Sequence, residues 1–581
     1  MNDTIMLTAT ALAALAVAAP FARARLQLSL AKHPSLTGHS SMARRVAAWV
    51  PGYAYDEAGF FGSDGAPADV QLRRRAALQR LSDDFARRFE RSLRATDASR
   101  ASISDLQFTG AYRVPFQYSR YLREHLRMPA FVREAAGVTV TDLDGNVLYD
   151  LTGSYGVNVF GVDFYKECIA DGHARVRALG PVLGAYHPCV ADNVQRLRSI
   201  ADKDEVSFHM SGTEAVMQAV RLARYHSGRK RLVRFAGAYH GWWDDVQPGP
   251  GNPLPPRETY TLREMDARTL RVLRSRRDIA CVLVNPLQAL HPNSAAPGDS
   301  TLLDGSRSAH FDRAAYTRWL HELRAVCSER GIALIFDEVF VGFRLAPGGA
   351  QEYFGVQADL VAYGKTVAGG LPIGVVCGRT AWMKRFREDR PADICFARGT
   401  FNSHPYVMGA MQAFLERLDS APVQQLYRGL DETWNSRVEQ FNARMRDEGL
   451  PPRAANLSSI WTIGYDVPSR YNWMLQFYLR AHGLALSWVG TGRLIFSLNY
   501  TQADFDAVLE RFVAAARQMQ ADGWWWHQPG QTNRSIRRGL LREMLAHRFY
   551  ATGSSSSPRA QRLFGAGSIS SPRSRYHGDF Q

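Results

Sequence analysis

At 581 residues the chain is too long for a single small core, so two or more domains are expected. Apolar residues make up 46% and charged residues 22%, the composition of an ordinary globular protein, while Lys+Arg exceed Asp+Glu by 71 to 55, a net +16. That balance suits anionic lipid, acidic metabolites or merely solvated basic ends, but no nucleic-acid reader motif is visible, and six scattered cysteines without a Cys-x-x-Cys or a His cluster exclude a disulfide framework or a metal site and fit a reducing cytosol.

The chain opens with Ile5–Ala22, an uncharged and mostly apolar run followed at once by Arg23 and Arg25. Such a run stands at the lower bound for spanning a bilayer. The downstream positive flank would keep the body on the cytoplasmic side, giving a cytoplasmic protein anchored at that face. A packed N-terminal helix competes with this reading. A cleaved signal fits less well, because only Asp3 precedes the run as a charge. In VQLRRRAALQRLSDDFARRFERSL, Leu78, Leu81, Phe85 and Phe89 recur at helical spacing, and packing on protein is the expected use of that face. Further on, Asp144-Gly145 is a two-residue hairpin turn by its own chemistry.

Val206–Met210 reads as a short strand and Thr213–Tyr225 as an amphipathic helix, which makes Ser211-Gly212-Thr213 a strand-to-helix turn. Backbone N–H groups and a hydroxyl at a helix start form a cup for phosphate, although the same three residues also serve as a common cap. Cys281–Asn293 reads as a buried strand and loop. Ile332–Phe336 is another buried strand and stops at Asp337-Glu338; Asp359–Tyr363 is a third and stops at Gly364-Lys365. Open α/β sheets place ligand chemistry beyond the carboxyl ends of their strands. A lysine amine there can form a Schiff base with an aldehyde cofactor, and an aspartate can hold a protonated pyridine nitrogen. By itself, a lysine after a glycine is most often a surface lysine.

Tyr406–Leu418 begins a long helix, and the chain then runs to a smaller α/β unit ending near Met519. Trp524, Trp525 and Trp526 precede an Arg-rich amphipathic segment, Ser535–Phe549, with Ile536, Leu540 and Met544 on one face. A bilayer interface and a domain-docking patch both explain it. From Gly553 onward Ser, Gly, Pro and Arg dominate, and disorder is expected.

DEVFVGFR followed by QEYFGVQADLVAYGKTVAGGLPIGVVCG resembles the pyridoxal-phosphate core of class III aminotransferases, closest to the glutamate-1-semialdehyde aminomutase subgroup. There a similar Asp-Glu-Val-x-x-Gly-Phe-Arg precedes a Gly-Lys and a Gly-Gly-x-Pro-x-Gly. The resemblance covers residues 105–520. It implies an α/β protein of fold type I: a large domain around a mainly parallel seven-stranded sheet, a smaller C-terminal α/β domain, and extensions at both ends. The expected division is 1–25 apolar segment, 26–104 basic extension, 105–165 start of the core, 166–405 cofactor domain, 406–520 small domain, and 521–581 Trp/Arg-rich segment with its tail.

The resemblance also implies roles. Lys365 would carry pyridoxal 5'-phosphate and shuttle the proton, and Asp337 would keep its ring nitrogen protonated. Ser211, Gly212 and Thr213 would hold its phosphate, Tyr239 would cover the ring, and His240 would shape the turn beside it. Thr400 matches a threonine that reaches the phosphate of the neighbouring subunit, which implies a homodimer. Tyr155, Asn285, Phe340 and Arg493 fall at substrate positions. Three departures stand out. Gly184-Ala185-Tyr186-His187-Pro188 lacks a first histidine, Asn285-Pro286 replaces the usual Glu-Pro, and the motif around Arg493 lacks its prolines. Arg493 reads equally as a carboxylate binder or as one half of a surface ion pair.

The expected activity is amino transfer between an amine or amino-acid donor and a ketone or aldehyde acceptor. Glutamate-1-semialdehyde 2,1-aminomutase is the alternative, supported by the bulky Phe340, and a non-catalytic membrane-tethered scaffold is the distant one. Expected partners are small amine and carbonyl substrates, a second copy of the chain, and a membrane surface met through the N-terminal and Trp/Arg-rich segments.

Overall fold

A computed structural model describes the protein at residues 2–33, 39–48, 52–112, 114–247, 251–252, 254, 257–293, 305, 310–486 and 492–553. Its centre is one seven-stranded sheet, numbered here in chain order: β1 (Glu205–His209), β2 (Arg231–Phe235), β3 (Thr259–Leu262), β4 (Ile279–Val284), β5 (Ala333–Asp337), β6 (Leu360–Gly364) and β7 (Gly374–Gly378). The spatial order is β1-β7-β6-β5-β4-β2-β3. Only β7 runs against its neighbours. IACVLV in β4 and ALIFD in β5 are buried along their whole length, as expected of parallel strands covered on both faces. The helix Gly212–Ser227 closes one face with Ala215, Val216, Ala219, Val220 and Leu222. Because the parallel strands share one direction, their carboxyl ends open along a single edge.

A three-stranded antiparallel sheet, Pro452–Leu457, Ile460–Tyr465 and Arg493–Ile495, forms the smaller unit with the helices Leu430–Asp447 and Gln502–Ala521. Thr501 and Asp504 close the start of the latter helix with a reciprocal capping box. The hairpin strands Val132–Ala136, Thr139–Asp142 and Val147–Asp150 are completed by Leu484–Ala485, which pairs parallel to the last of them. The segment entering the core is thereby stitched to the small unit.

Residues outside that core pack as protein. Leu78, Leu81, Phe85 and Phe89 are buried. Arg74 is fully buried too, joined to Asp64 at 2.6 Å and lying 4.3 Å from the Tyr471 ring centroid. Of the two readings of the Trp/Arg-rich segment, the structure takes docking. Trp524 and Trp525 are 0% and 5% exposed, and their indole N–H groups donate to Tyr478 Oη at 2.7 Å and Asn472 Oδ1 at 3.0 Å. Indoles whose faces and donors are both used internally cannot belong to a bilayer interface. The following helix, Asn533–Gly553, buries Ile536 and Leu540, and its Glu543 accepts hydrogen bonds from Arg470, Tyr53 and Tyr55.

At the other end, the helix Asn2–Ala31 is seated by its foot. Ala31 is buried, Arg263 N donates to its carbonyl at 2.9 Å, and Lys32 bridges Leu262 on the edge strand β3. Among the described residues no helix is long and apolar enough to cross a membrane. The side chains of residues 2–15, most of the apolar run, lie outside the description, as does the tail beyond Gly553 for which disorder is expected.

Candidate active site

The open edge of the sheet gathers most of the singled-out residues. Ser211 caps the helix that follows β1, its hydroxyl accepting from Glu214 N at 3.3 Å. A Cβ on Gly212 would lie 2.6 Å from Val339 Cγ1, and one on Gly364 would lie 3.7 Å from Gly212 Cα. The absence of side chains at both glycines lets the helix start press against the ends of β5 and β6. A Cβ on Gly241 would collide with the Thr213 hydroxyl, and Gly241 takes a φ of +90°, a value glycine adopts without strain. The helix start, with its unpaired N–H groups, therefore faces the turn that carries Tyr239 and His240.

Asp337 ends β5 and is 4% exposed. One carboxylate oxygen accepts from Val339 N at 3.2 Å and the other meets His240 Nδ1 at 2.8 Å. His240 is buried, and burial holds its pKa below the ordinary value although Asp337 pulls it up. The His240 Nδ1–Asp337 contact fixes the carboxylate plane and leaves further lone pairs to receive a ring N–H. Tyr239 exposes 55% of its surface, and its backbone carbonyl accepts from Asn285 Nδ2 at 3.0 Å. Asn285 is buried, and its own Oδ1 accepts from Leu287 N at 3.2 Å. The structure therefore places Asn285 as a strut beneath Tyr239.

In register, Asp337 stands opposite Ala362 on β6, three residues before Lys365. Lys365 takes a φ of +49°, uncommon for a side-chain-bearing residue, immediately after Gly364. Burial lowers its pKa, Asp337 opposes that, and Arg344 reinforces it. Its Nζ lies 5.4 Å from the Phe340 ring centroid. Next to it, Thr366 Oγ1 and Tyr165 Oη are 2.5 Å apart, and that phenol accepts from Val159 N at 2.9 Å.

Tyr155 lies on the turn Gly153–Gly156, whose four residues have φ of +50°, +45°, +58° and +96° and whose last glycine abuts Phe340. For Ser154 and Tyr155 this is strained backbone, held because a Cβ on Gly156 would lie 2.7 Å from Phe340 and because Gly153 abuts Ile495. Arg493 lies on the same strand as Ile495, and its guanidinium meets His291 Nε2 at 3.0 Å. An imidazole is thus among its partners. Thr400 is exposed on the turn before the helix Pro405–Leu418, and among the described residues nothing within one chain joins it to Gly212 or Thr213.

Three contributors were given no role of their own by the sequence, two of them inside the DEVFVGFR motif. Val339 fills the space above Gly212, Tyr165 braces the turn after Lys365, and Arg344 is fully buried beside Phe340. A charge inside the otherwise apolar VFVGFR was the one available signal.

A family model described as "Aminotransferase class-III" matches residues 121–245 and 305–516. The chain is 33% identical over 320 residues to a protein of Alkaliphilus oremlandii named glutamate-1-semialdehyde 2,1-aminomutase, covering 52% of this chain and 69% of that one. The protein of that name from Nitratidesulfovibrio vulgaris is 33% identical over 341 residues, covering 58% and 77%. Among solved structures, a transaminase with pyridoxal phosphate bound superposes with a TM-score of 0.56 at 26% identity, covering 68% of this chain and 92% of that one. A glutamate-1-semialdehyde aminomutase from Pseudomonas aeruginosa shares the fold, with a TM-score of 0.62 at 19% identity over 77% and 99% of the two chains.

Proposed function

Because the chain belongs to the class III aminotransferase family, whose members use pyridoxal phosphate, we propose that Lys365 and Asp337 are the catalytic pair of an aminotransferase acting between an amine donor and a ketone or aldehyde acceptor. The carrying observation is their placement at adjoining strand ends of one sheet edge, with Asp337 already oriented by His240. The donor set fits the cofactor part by part. The glycine-bare helix start suits its phosphate, the carboxylate its ring nitrogen, the open face of Tyr239 its plane, and a desolvated amine its aldehyde. Bound pyridoxal phosphate supplies an electron-poor ring that takes up the electron pair left when an amine-bearing carbon loses its proton.

The chain's own residues do the rest. Lys365, once its amine is neutral, removes the proton from that carbon and returns it elsewhere, and a depressed pKa makes it an efficient base. Gly212 and Thr213 bind through backbone N–H groups and a hydroxyl, Tyr239 excludes water from one ring face, and Tyr155 and Phe340 line the acceptor side. Purified protein should absorb in the visible-violet, and borohydride should lock the chromophore onto Lys365. Cofactor still captured covalently by Lys365→Ala would sink the assignment. Asp337→Asn should lose most turnover while the protein stays folded.

The aminomutase reading is favoured by the relatives bearing that name and by Phe340 beside the lysine. Rescue of a 5-aminolevulinate auxotroph would decide for it. Thr400, exposed within one chain, would complete the phosphate site of a second copy, and Thr400→Val should then weaken cofactor retention in a dimer measured by light scattering. Attachment to the cytoplasmic face of a membrane rests on Ile5–Ala22 and its downstream arginines alone. Fractionation of full-length chain against chain lacking residues 1–25 tests it.

A further inference from the structure

Arg344 is fully buried, yet every hydrogen-bond partner it has is neutral: Nη1 donates to Ser459 Oγ at 2.9 Å and Phe496 O at 2.7 Å, and Nη2 to Asn158 O at 2.8 Å. Burial pulls its pKa down, and the groups that oppose this are the phenols of Tyr165 and Tyr427 rather than a carboxylate. A buried cation without a counter-ion is costly, so its surroundings must hold it for a reason other than ion pairing. Its acceptors come from distant parts of the chain, Asn158 beside the strained turn and Ser459 and Phe496 in the small unit. It ends the tight turn that begins at Asp337, with Gly342 N donating to Glu338 O at 2.8 Å and Arg344 N to Val341 O at 3.1 Å. Phe340 lies inside that turn. Its ring centroid is 5.9 Å from the Arg344 guanidinium carbon and 5.4 Å from Lys365 Nζ.

We propose that Arg344 is a positioning residue for Lys365: it pins Phe340 under the amine and sets an uncompensated buried charge within reach of it, so that the amine is held ready as a base. This rests on the reading of Lys365 as the catalytic lysine. The other groups facing the pair are few. Asp337 opposes the effect from the end of β5, with buried His240 on its far oxygen. Tyr165 and Tyr427 approach Arg344 as phenols, burial pushing Tyr165 up to about 12 and Tyr427 well above its ordinary value too. With the Phe340 ring as common neighbour, the two cations are no more than about 11 Å apart, and at an effective dielectric of about 20 the repulsion corresponds to roughly one pH unit on the lysine.

The test uses the full chain stripped of cofactor, acetylated with limiting acetic anhydride between pH 6 and 10 and read at Lys365 by peptide mass spectrometry, with exposed Lys230 as internal reference. Wild type should label Lys365 with a midpoint below the ordinary lysine range. Arg344→Gln should raise that midpoint by about one pH unit, and Arg344→Lys, which keeps the charge, should not. Ser459→Asp gives Arg344 a carboxylate in place and should raise the midpoint as well, which decides the matter if Arg344→Gln fails to fold by circular dichroism. An unmoved midpoint in either folded charge-cancelling variant, or a raised one in Arg344→Lys, overturns the proposal. Borohydride capture of the cofactor on some lysine other than Lys365 would instead overturn the underlying reading, while leaving the labelling result intact.

Discussion

Replacing Trp524 by alanine separates a folded extension from a lipid-facing one. The indole is fully buried, with ring centroids of Tyr471, Phe61 and Phe60 at 5.3, 6.2 and 6.4 Å. Truncating such a side chain to alanine costs about 3–5 kcal/mol through lost transfer energy and the cavity left behind. The indole N–H bond to Tyr478 adds about 1 kcal/mol, and no more, because that phenol still donates to Asp522 at 2.7 Å and is not stranded. The arginine beneath, Arg74, keeps its bond to Asp64. A total of about 4–6 kcal/mol should therefore appear as an earlier urea transition by far-UV circular dichroism, and Trp524→Phe should recover most of it. Sedimentation with anionic vesicles should not change. A variant that unfolds within about 0.5 kcal/mol of wild type and loses vesicle binding would show that the indole faces lipid, and the docking argument would fail.

Other outcomes follow from the same geometry. Since burial lowers the Lys365 pKa, its base form survives to lower pH than that of an ordinary lysine, so turnover should rise with pH and level off below the usual lysine range, as a kcat–pH profile will show. Burial pushes Glu264 up to about 8, above its unfolded value near 4.5, so its contribution to stability is complete below pH 4.5 and is lost as pH rises through 8. Glu264→Gln, which keeps a partner for Tyr316, should flatten that decline in melting temperature between pH 5 and 8. Gly212→Ala puts a methyl 2.6 Å from Val339 Cγ1, which forces the helix start away from β5; cofactor should then leave faster on dialysis, with the melting temperature of the cofactor-free chain little altered.

What the sequence disclosed was whatever a strand end discloses. Apolar runs that stop at Asp337 and at Gly364-Lys365 announce buried parallel strands and the crevice beyond them, and a Ser-Gly-Thr before a helical period announces a cup. Side chains that act by pointing sideways were not legible. Asn285 stands where a substrate contact is expected but turns under Tyr239, because its amide can satisfy both the Tyr239 carbonyl and the Leu287 N–H of the loop it opens. Tyr165 reads as one more aromatic on a helix until the turn after Lys365 is brought against it. The tryptophans beside arginines carried the composition of a bilayer interface, and local composition cannot show that the rest of the chain offers Tyr478 and Asn472 as acceptors for two of their N–H groups.

The same distinction explains where the strain sits. Ser154 and Tyr155 hold left-handed backbone in a turn pressed between Phe340 of the large sheet's edge and Ile495 of the small unit. Neither neighbour alone would compel that conformation, since a chain free on one side would relax toward ordinary φ. The turn is stable only while both units keep their relative position. Arg344 bonds on both sides of it, to Asn158 next to the turn and to Ser459 and Phe496 across it, alongside the backbone bonds Ile495 N to Leu151 O and Leu498 N to Val159 O. The strained turn is therefore a property of the seam between units. Substitution of Ser459, distant in sequence from every motif, should loosen the turn at residues 153–156 before it disturbs the glycine-bare helix start, seen as faster amide exchange at the turn with exchange at Gly212 unchanged.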